Sequence, residues 1–230
     1  MSRSTLKTSA INAEIRKAQV AAAAPAAPAG KKATAKDKPA AAAPKGAGEI
    51  RIIGGAWKRT RLPVAQRPGL RPTPDRVRET LFNWLGQDLD GWHCLDLFAG
   101  SGALGFEAAS RGAARVVMIE QAPKVLAALH ENHELLHKPS GVEIIRADAI
   151  QYLASTQAKF DLIFLDPPYK KGWISRLEPL LPGVLNEDAA IYVEAEHEVE
   201  SLGDWRTVRQ GKAGEVHFHL LRRETGGKSA

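Results

Sequence analysis

The segment FDLIFLDPPYKKGW, residues 160–173, carries an apolar strand into Asp166-Pro167-Pro168-Tyr169 and then Lys170-Lys171. An acid at the end of a buried strand is placed to meet a ligand. Two prolines lock the local φ and remove two N–H donors, which leaves a stiff loop with carbonyls free to accept. Tyr169 adds a flat face. A rigid set of acceptors beside an aromatic ring suits a planar group bearing an NH₂, such as a nucleobase amine. Such an amine is a poor nucleophile because its lone pair is delocalised. Hydrogen bonds to Asp166 and to the Pro167 carbonyl would aim it and favour a pyramidal nitrogen. At an ordinary carboxylate pKa of about 3.9, Asp166 is expected to be ionised and able to accept.

A second constellation precedes it. LDLFAGSGALG places Asp96 near a strand end, followed by Gly100, Gly102 and Gly105 in a G-x-G-x-x-G turn. Glu120 ends the next apolar run, where a carboxylate can accept two ribose hydroxyls. This pattern alone fits a nicotinamide dinucleotide or S-adenosyl-L-methionine. Asp96 tips the balance, because a carboxylate beside the glycines repels pyrophosphate and attracts the amino group of a methionine moiety. Asp148 follows the third strand and has two compatible roles: accepting from an adenine amine, or capping the helix AIQYL.

Elements that alternate between strand and helix must position these residues. CLDLF, RVVMIE, VEIIRAD, FDLIFLD and AIYVEAE read as strands. ALGFEAASRG, APKVLAALHENHELL, AIQYLAST and WISRLEPLLPGVL read as the helices between them, and WRTVRQ with EVHFHLLRR as a closing antiparallel pair. The pattern predicts a doubly wound α/β sheet, mostly parallel, with ligands at the carboxyl ends of the strands. Upstream, Ile50, Ile52 and Ile53 before Gly54-Gly55, then Trp57–Val64, read as a hairpin with an arginine-rich second strand. LRPTPDRVRETLFNWLG reads as a helix with Thr73 as cap, Pro74 in the first position and Gly86 as stop. Val77, Leu81, Trp84 and Leu85 form its apolar stripe, with Arg76 and Arg78 off it.

Charge is distributed unevenly over the 230 residues. Residues 1–48 hold nine basic and two acidic residues in an Ala/Pro/Lys-rich, low-complexity stretch. Such a segment lacks the apolar side chains to offset the entropy of ordering and reads as a disordered basic tail. Residues 51–78 hold eight basic residues and one acid, and the chain beyond is acidic. Two basic segments on an acidic body imply a polyanionic partner. One cysteine, Cys94, excludes a disulfide framework and a cysteine zinc site within the chain. No apolar run approaches the ~18 residues of a membrane span. The expectation is a cytoplasmic protein with no membrane partner. His130, His133 and His137 recur along one helix without acidic or cysteine company, which reads as a solvated face and no metal site. EAEHEVE, residues 194–200, reads as an acidic surface run.

IRIIGGAWKRTRLPV, GLRPTPDRVRETLFNWL, CLDLFAGSGALGFEAASRGA, LDPPY and AIYVEAE together resemble the RsmD-type 16S ribosomal RNA guanine-N2 methyltransferases, within the class I S-adenosylmethionine-dependent superfamily. The likeness covers about residues 48–223. It implies a Rossmann-like domain over residues 91–225 with a seven-stranded, mostly parallel sheet and a C-terminal antiparallel strand. A hairpin-and-helix extension over 49–90 would contact RNA, flanked by the tail at 1–48 and a short tail at 226–230. It implies cofactor contact at Asp96, Ala99, Gly100, Gly102, Glu120, Asp148 and Ala149, and base contact at Asp166, Pro167 and Tyr169. S-adenosyl-L-methionine would be consumed and S-adenosyl-L-homocysteine released, without a metal. The substrate would be 16S rRNA within the small ribosomal subunit, acted on by a monomer. Arg51, Lys58, Arg59, Arg61, Arg71, Arg76 and Arg78 would then clamp phosphates, and Lys170 and Lys171 would hold the flipped nucleotide's backbone. Three rivals stand beside this reading: an adenine-N6 or other amino methyltransferase, a non-catalytic RNA-binding module, and a nicotinamide oxidoreductase.

Overall fold

The computed structural model describes residues 48–65, 72–169 and 171–223. The basic tail, Arg71 and Lys170 lie outside them. Two short strands, β1 (Glu49–Arg51) and β2 (Arg61–Pro63), pair antiparallel, and α1 (Asp75–Leu85) follows. Then come β3 (His93–Asp96), α2 (Ala103–Ser110), β4 (Arg115–Ile119), α3 (Pro123–Leu135), β5 (Val142–Ile145), α4 (Ala149–Ser155) and β6 (Phe160–Leu165). Next are α5 (Trp173–Leu177), a 3₁₀ turn (Glu178–Gly183), β7 (Leu185–Ala195), β8 (Ser201–Leu202), β9 (Trp205–Ala213) and β10 (Val216–Arg223). The sheet runs β5-β4-β3-β6-β7-β10-β9-β8. Its first five strands are parallel and the last three antiparallel.

The chain winds outward through β3, β4 and β5, then returns to place β6 on the other side of β3. The β3/β6 junction is therefore the switch point, where a crevice opens beyond the strand ends. The sheet has eight strands where seven were expected. Gly203 at φ 56° turns Ser201–Leu202 back onto Trp205–Arg206 and adds a two-residue edge strand. WISRLEPLLPGVL also divides, into a short α-helix and a 3₁₀ turn containing Pro179 and Pro182, because proline cannot donate to a helical ladder.

Strand side chains alternate between two apolar layers. Phe164 and Tyr192 face one layer, and Leu165 and Val193 face the other. Ile50, Ile52, Leu62 and Val64 of the hairpin join Val77, Leu81 and Phe82 of α1 in the first layer, against Cys94, Phe164 and Tyr192. The N-terminal elements thus cover one face of the sheet and share its core.

The hairpin is shorter than its composition suggests. Gly54 and Gly55 lie against the C-terminal end of α2. A side chain on Gly55 would meet the Ser110 carbonyl at 1.8 Å, and one on Gly54 would meet the Arg111 guanidinium at 2.3 Å. Ser110 accepts from Ala56 N through its carbonyl (2.7 Å) and from Trp57 N through its hydroxyl (2.9 Å). Residues 53–57 therefore leave the ladder to bind α2, and Arg59, at φ 75°, turns the chain back to bond Ile52.

Glu107 on α2 draws these elements together. Its side chain is fully buried, and its two oxygens accept from Ile53 N (2.9 Å), Gly54 N (2.8 Å), Arg78 (3.1 Å) and Arg111 (2.8 Å). Arg78, also fully buried, donates further to Asp75, the Arg51 carbonyl and the Thr73 carbonyl. Arg111 lies over the Phe82 ring, 4.5 Å from its centre. Arg78 was expected on RNA; it is an internal tie and cannot reach a phosphate. It sits two positions from Arg76, so it turns to the face where Val77 and Leu81 pack, while Arg76 stays exposed.

Removing one member of a buried charge network leaves the rest desolvated and unpaired. Glu107→Ala should lower unfolding free energy by about 3–5 kcal/mol in denaturant titration. A loss under ~1 kcal/mol, the scale of an exposed pair, would show that the network is dispensable.

Candidate active site

A cavity of about 880 Å³ opens at the carboxyl ends of β3, β4, β6 and β7. Its floor is built at the switch point. Asp96 ends β3, is 2 % exposed, and accepts from Gly105 N at 3.0 Å, the first turn of α2. A side chain on Gly105 would meet the Met118 sulfur at 2.4 Å, so only glycine lets the helix approach this closely. Gly100, at φ 51°, lines the cavity with Ala99 and Ser101. Gly102, at φ 78°, does not. It caps α2, and a side chain there would meet the Phe106 ring, so its part is to make the turn.

Glu120 stands one residue past β4. Its oxygens accept from Gly100 N (3.2 Å) and Ala122 N (2.7 Å), which fixes the carboxylate at the cavity wall. Asp148 caps α4, accepting from Ile150 N (2.9 Å) and Gln151 N (3.2 Å), and lines the cavity with Ala149. The capping role is thus occupied while the residue still faces the cavity.

Asp166 follows β6, with Pro167 buried and Pro168 and Tyr169 exposed. All four line the cavity, as does Lys171. Phe98 and Trp173 add an aromatic wall, edge to face with ring centres 5.2 Å apart. Arg51, Lys58, Arg59, Arg61 and Arg76 lie exposed on the hairpin and α1, outside the cavity. Arg51 pairs with Asp75 and Arg61 with Glu49 on the surface, where such pairs contribute little.

The sequence reading missed Glu194. It belongs to the run taken as an acidic surface, yet it is 4 % exposed, whereas Glu196, His197, Glu198 and Glu200 are exposed. Its Oε1 accepts from the Thr73 and Tyr192 hydroxyls, both at 2.9 Å. Thr73 was expected to cap α1. Pro74 takes that position instead, which frees the Thr73 hydroxyl for Glu194. Strand period could have found Glu194: two residues after Tyr192 on a strand, it must face the same layer.

Three acids therefore share one face of three adjacent strands. Burial pushes Asp96 up to about 7, with Glu120 and Glu194 adding repulsion against the pull of the Gly105 and Phe98 amides. Burial, then the charges of Glu194 and Asp96, holds Asp166 well above the usual carboxylate range. Burial also raises Glu194, against the two hydroxyls that favour its charge. Asp166 was expected at an ordinary carboxylate pKa; burial and the charges of Glu194 and Asp96 instead shift it upward. Among the described residues no cluster of histidine, cysteine, aspartate or glutamate is arranged to hold a metal ion. None of their helices is long and apolar enough to cross a membrane.

An acid whose folded pKa is raised stabilises the fold below its unfolded pKa and loses that contribution as pH rises through the folded value. For Asp96 the window runs from about 4 to about 7. Thermal stability of the ligand-free protein should rise as pH falls through that window, and Asp96→Asn, which keeps an acceptor for Gly105 N, should remove part of the slope. An unchanged slope in the variant would contradict the buried-charge account.

Known proteins share this architecture. Ribosomal RNA small subunit methyltransferase D of Escherichia coli is 43% identical over 189 residues, 80% of this chain and 95% of its own. Its namesake in Haemophilus influenzae is 40% identical over 184 residues, 77% and 95% of the two chains. A solved structure described as a putative methyltransferase of Escherichia coli superposes with a TM-score of 0.70 at 44% identity, covering 77% of this chain and 99% of that one. The family model described as Conserved hypothetical protein 95 matches residues 50–222, and the chain accordingly belongs to that family, the RsmD-type class I methyltransferases.

Proposed function

We propose that this protein transfers a methyl group from S-adenosyl-L-methionine to the exocyclic N2 amine of a guanine in 16S rRNA of the small ribosomal subunit. The observation that carries the reading is the cavity's donor and acceptor set. Asp96, Glu120, Asp148, Asp166 and Glu194 line it, against one lysine, Lys171, among the described residues. That set opposes a pyrophosphate, which disfavours a nicotinamide dinucleotide, and suits a ligand with an ammonium, a sulfonium and ribose hydroxyls. Relatives covering most of the chain carry names of small-subunit rRNA methyltransferases, which supports an rRNA substrate.

In this reading Asp96, Ala99 and Gly100 hold the methionine part, Glu120 the ribose, and Asp148 with Ala149 the adenine. When bound, S-adenosyl-L-methionine supplies a sulfonium-activated methyl carbon and leaves as S-adenosyl-L-homocysteine. Asp166 and the Pro167 carbonyl accept from the two N–H groups of the target amine and point its nitrogen at that carbon. Tyr169 stacks on the base. The new N–C bond forms as the S–C bond breaks onto sulfur, and the amine's extra proton passes to Asp166 or to water. The upward shift of Asp166, from burial and then the charges of Glu194 and Asp96, suits that receiving role, because a higher pKa makes its carboxylate a better base.

The decisive assay supplies labelled cofactor and undermethylated small subunits, then maps the modified nucleotide by nuclease digestion and mass spectrometry. A single N2-methylguanine is expected. Asp166→Ala should lower kcat by about 100-fold or more, while cofactor Kd moves less than ~3-fold. Label on another base, or an equal loss in both constants, would overturn the assignment.

Lys58, Arg59 and Arg76 are exposed cations open to phosphates flanking the target. Their joint replacement by alanine should reduce the slope of log affinity against log salt by roughly 2–3, without lowering thermal stability. An unchanged slope would place the RNA elsewhere.

A further inference from the structure

Glu194 is the one cavity acid to which the reading above gives no task, and the sheet register fixes its place. Leu165 pairs with Val193, so the next positions, Asp166 and Glu194, stand side by side at the ends of β6 and β7. Both face the layer that holds Phe164 and Tyr192. Adjacent strands lie about 4.8 Å apart, so the two carboxyls form a fork able to receive neighbouring N–H groups of one planar ring. Oε1 of Glu194 is occupied by the Thr73 and Tyr192 hydroxyls. Among the described residues the donors to Glu194 all go to Oε1; Oε2 is not one of the enclosed unpartnered atoms, so it opens on the cavity that the residue lines. With Oε1 held by two hydroxyls, the oxygen that opens on the cavity is placed to accept an N–H of the guest.

We propose that Glu194 determines base specificity: its Oε2 accepts the N1–H of guanine while Asp166 holds the adjacent N2 amine. This rests on the guanine reading and deepens it. Guanine presents donors at N1 and N2 on one edge, which matches two neighbouring acceptors. Adenine presents an acceptor at N1, which opposes a carboxylate and leaves it unpaired. Rejection by an unpaired buried group is stronger than rejection by lost contact alone. Thr73 and Tyr192 add direction. By holding Oε1 they turn Oε2 into the cavity, which assigns them as positioning residues for Glu194.

The test uses RNA carrying either guanine or 2-aminopurine at the mapped nucleotide. 2-Aminopurine keeps the 2-amino group but has a lone pair at N1. The wild-type protein should prefer guanine by about 100-fold in kcat/KM. In Glu194→Gln the two hydroxyls hold the amide oxygen, so the NH₂ occupies the place of Oε2 and faces the base as a donor. That variant should lose about 100-fold on guanine and little or nothing on 2-aminopurine, with unchanged cofactor Kd. A merely structural role would lower both substrates by the same factor, and that result overturns the proposal. Equal wild-type rates on the two bases overturn it without any variant, so a poorly folded Glu194→Gln does not protect it. Wild-type protein that places no methyl on N2 of guanine would instead remove the functional reading, and this inference with it.

Discussion

The arrangement depends first on a buried carboxylate, Glu107, holding two buried guanidiniums and two backbone amides. Such a network adds little net stability over well-packed apolar groups, because desolvation offsets most of the attraction. Its contribution is direction. An apolar plug would let the hairpin settle on α2 in several ways. A carboxylate that must receive Ile53 N, Gly54 N, Arg78 and Arg111 admits one. The consequence travels beyond the hairpin. Arg78 also holds the Thr73 carbonyl, and Thr73 in turn donates its hydroxyl to Glu194 on the cavity wall. A continuous path of hydrogen bonds thus joins the helix after the glycine turn to the far side of the cavity.

That path explains why an N-terminal extension and a Rossmann-like sheet act as one unit. The sheet places acids at the ends of β3, β6 and β7 by register alone, but a sheet cannot roof its own switch point. Pro72, Thr73 and Pro74 supply part of that roof, and they are held by a residue of α1 whose partner sits on α2. The two prolines beside Thr73 restrict the backbone there, so one side-chain hydrogen bond suffices to orient it. The same helix presents Arg76 to solvent two residues before it buries Arg78. One short helix therefore offers charge outward and spends charge inward.

Much of this was legible in the sequence, for identifiable reasons. Alternating apolar runs and glycine turns pointed to a doubly wound, mostly parallel sheet, though not to the order of its strands. Acids at strand ends gave Asp96, Glu120, Asp148 and Asp166, all of which reach the cavity. Arg78 was misread because its near neighbour Arg76 is exposed, and composition does not say which of several basic residues on a helix faces a buried acid. Its partner Glu107 gave no signal either, since an acid among alanines on α2 looks like a solvated face. Glu194 was hidden by the acidic residues that follow it. Only strand phase, counted from the buried Tyr192, separates it from Glu196 and Glu198. Gly102 matched the motif by spacing, yet it turns the chain and leaves the cavity to its neighbours.

The remaining feature is electrostatic. Burial raises Asp96, Asp166 and Glu194 on one face; the charge of Glu194 adds to the rise of the other two, and that of Asp96 to Asp166. A structure selected for stability alone would replace such a cluster with apolar groups. Its retention is explained if the guest is rich in donors and positive charge. An ammonium, a sulfonium and the N–H groups of a base edge each favour the ionised acids, so such a guest would relieve the repulsion among them. In the proposed reaction a cationic ligand at Asp96 would favour the ionised form of Asp166 and so prepare it to accept from the target amine. The charge cluster would thereby couple the two halves of the cavity.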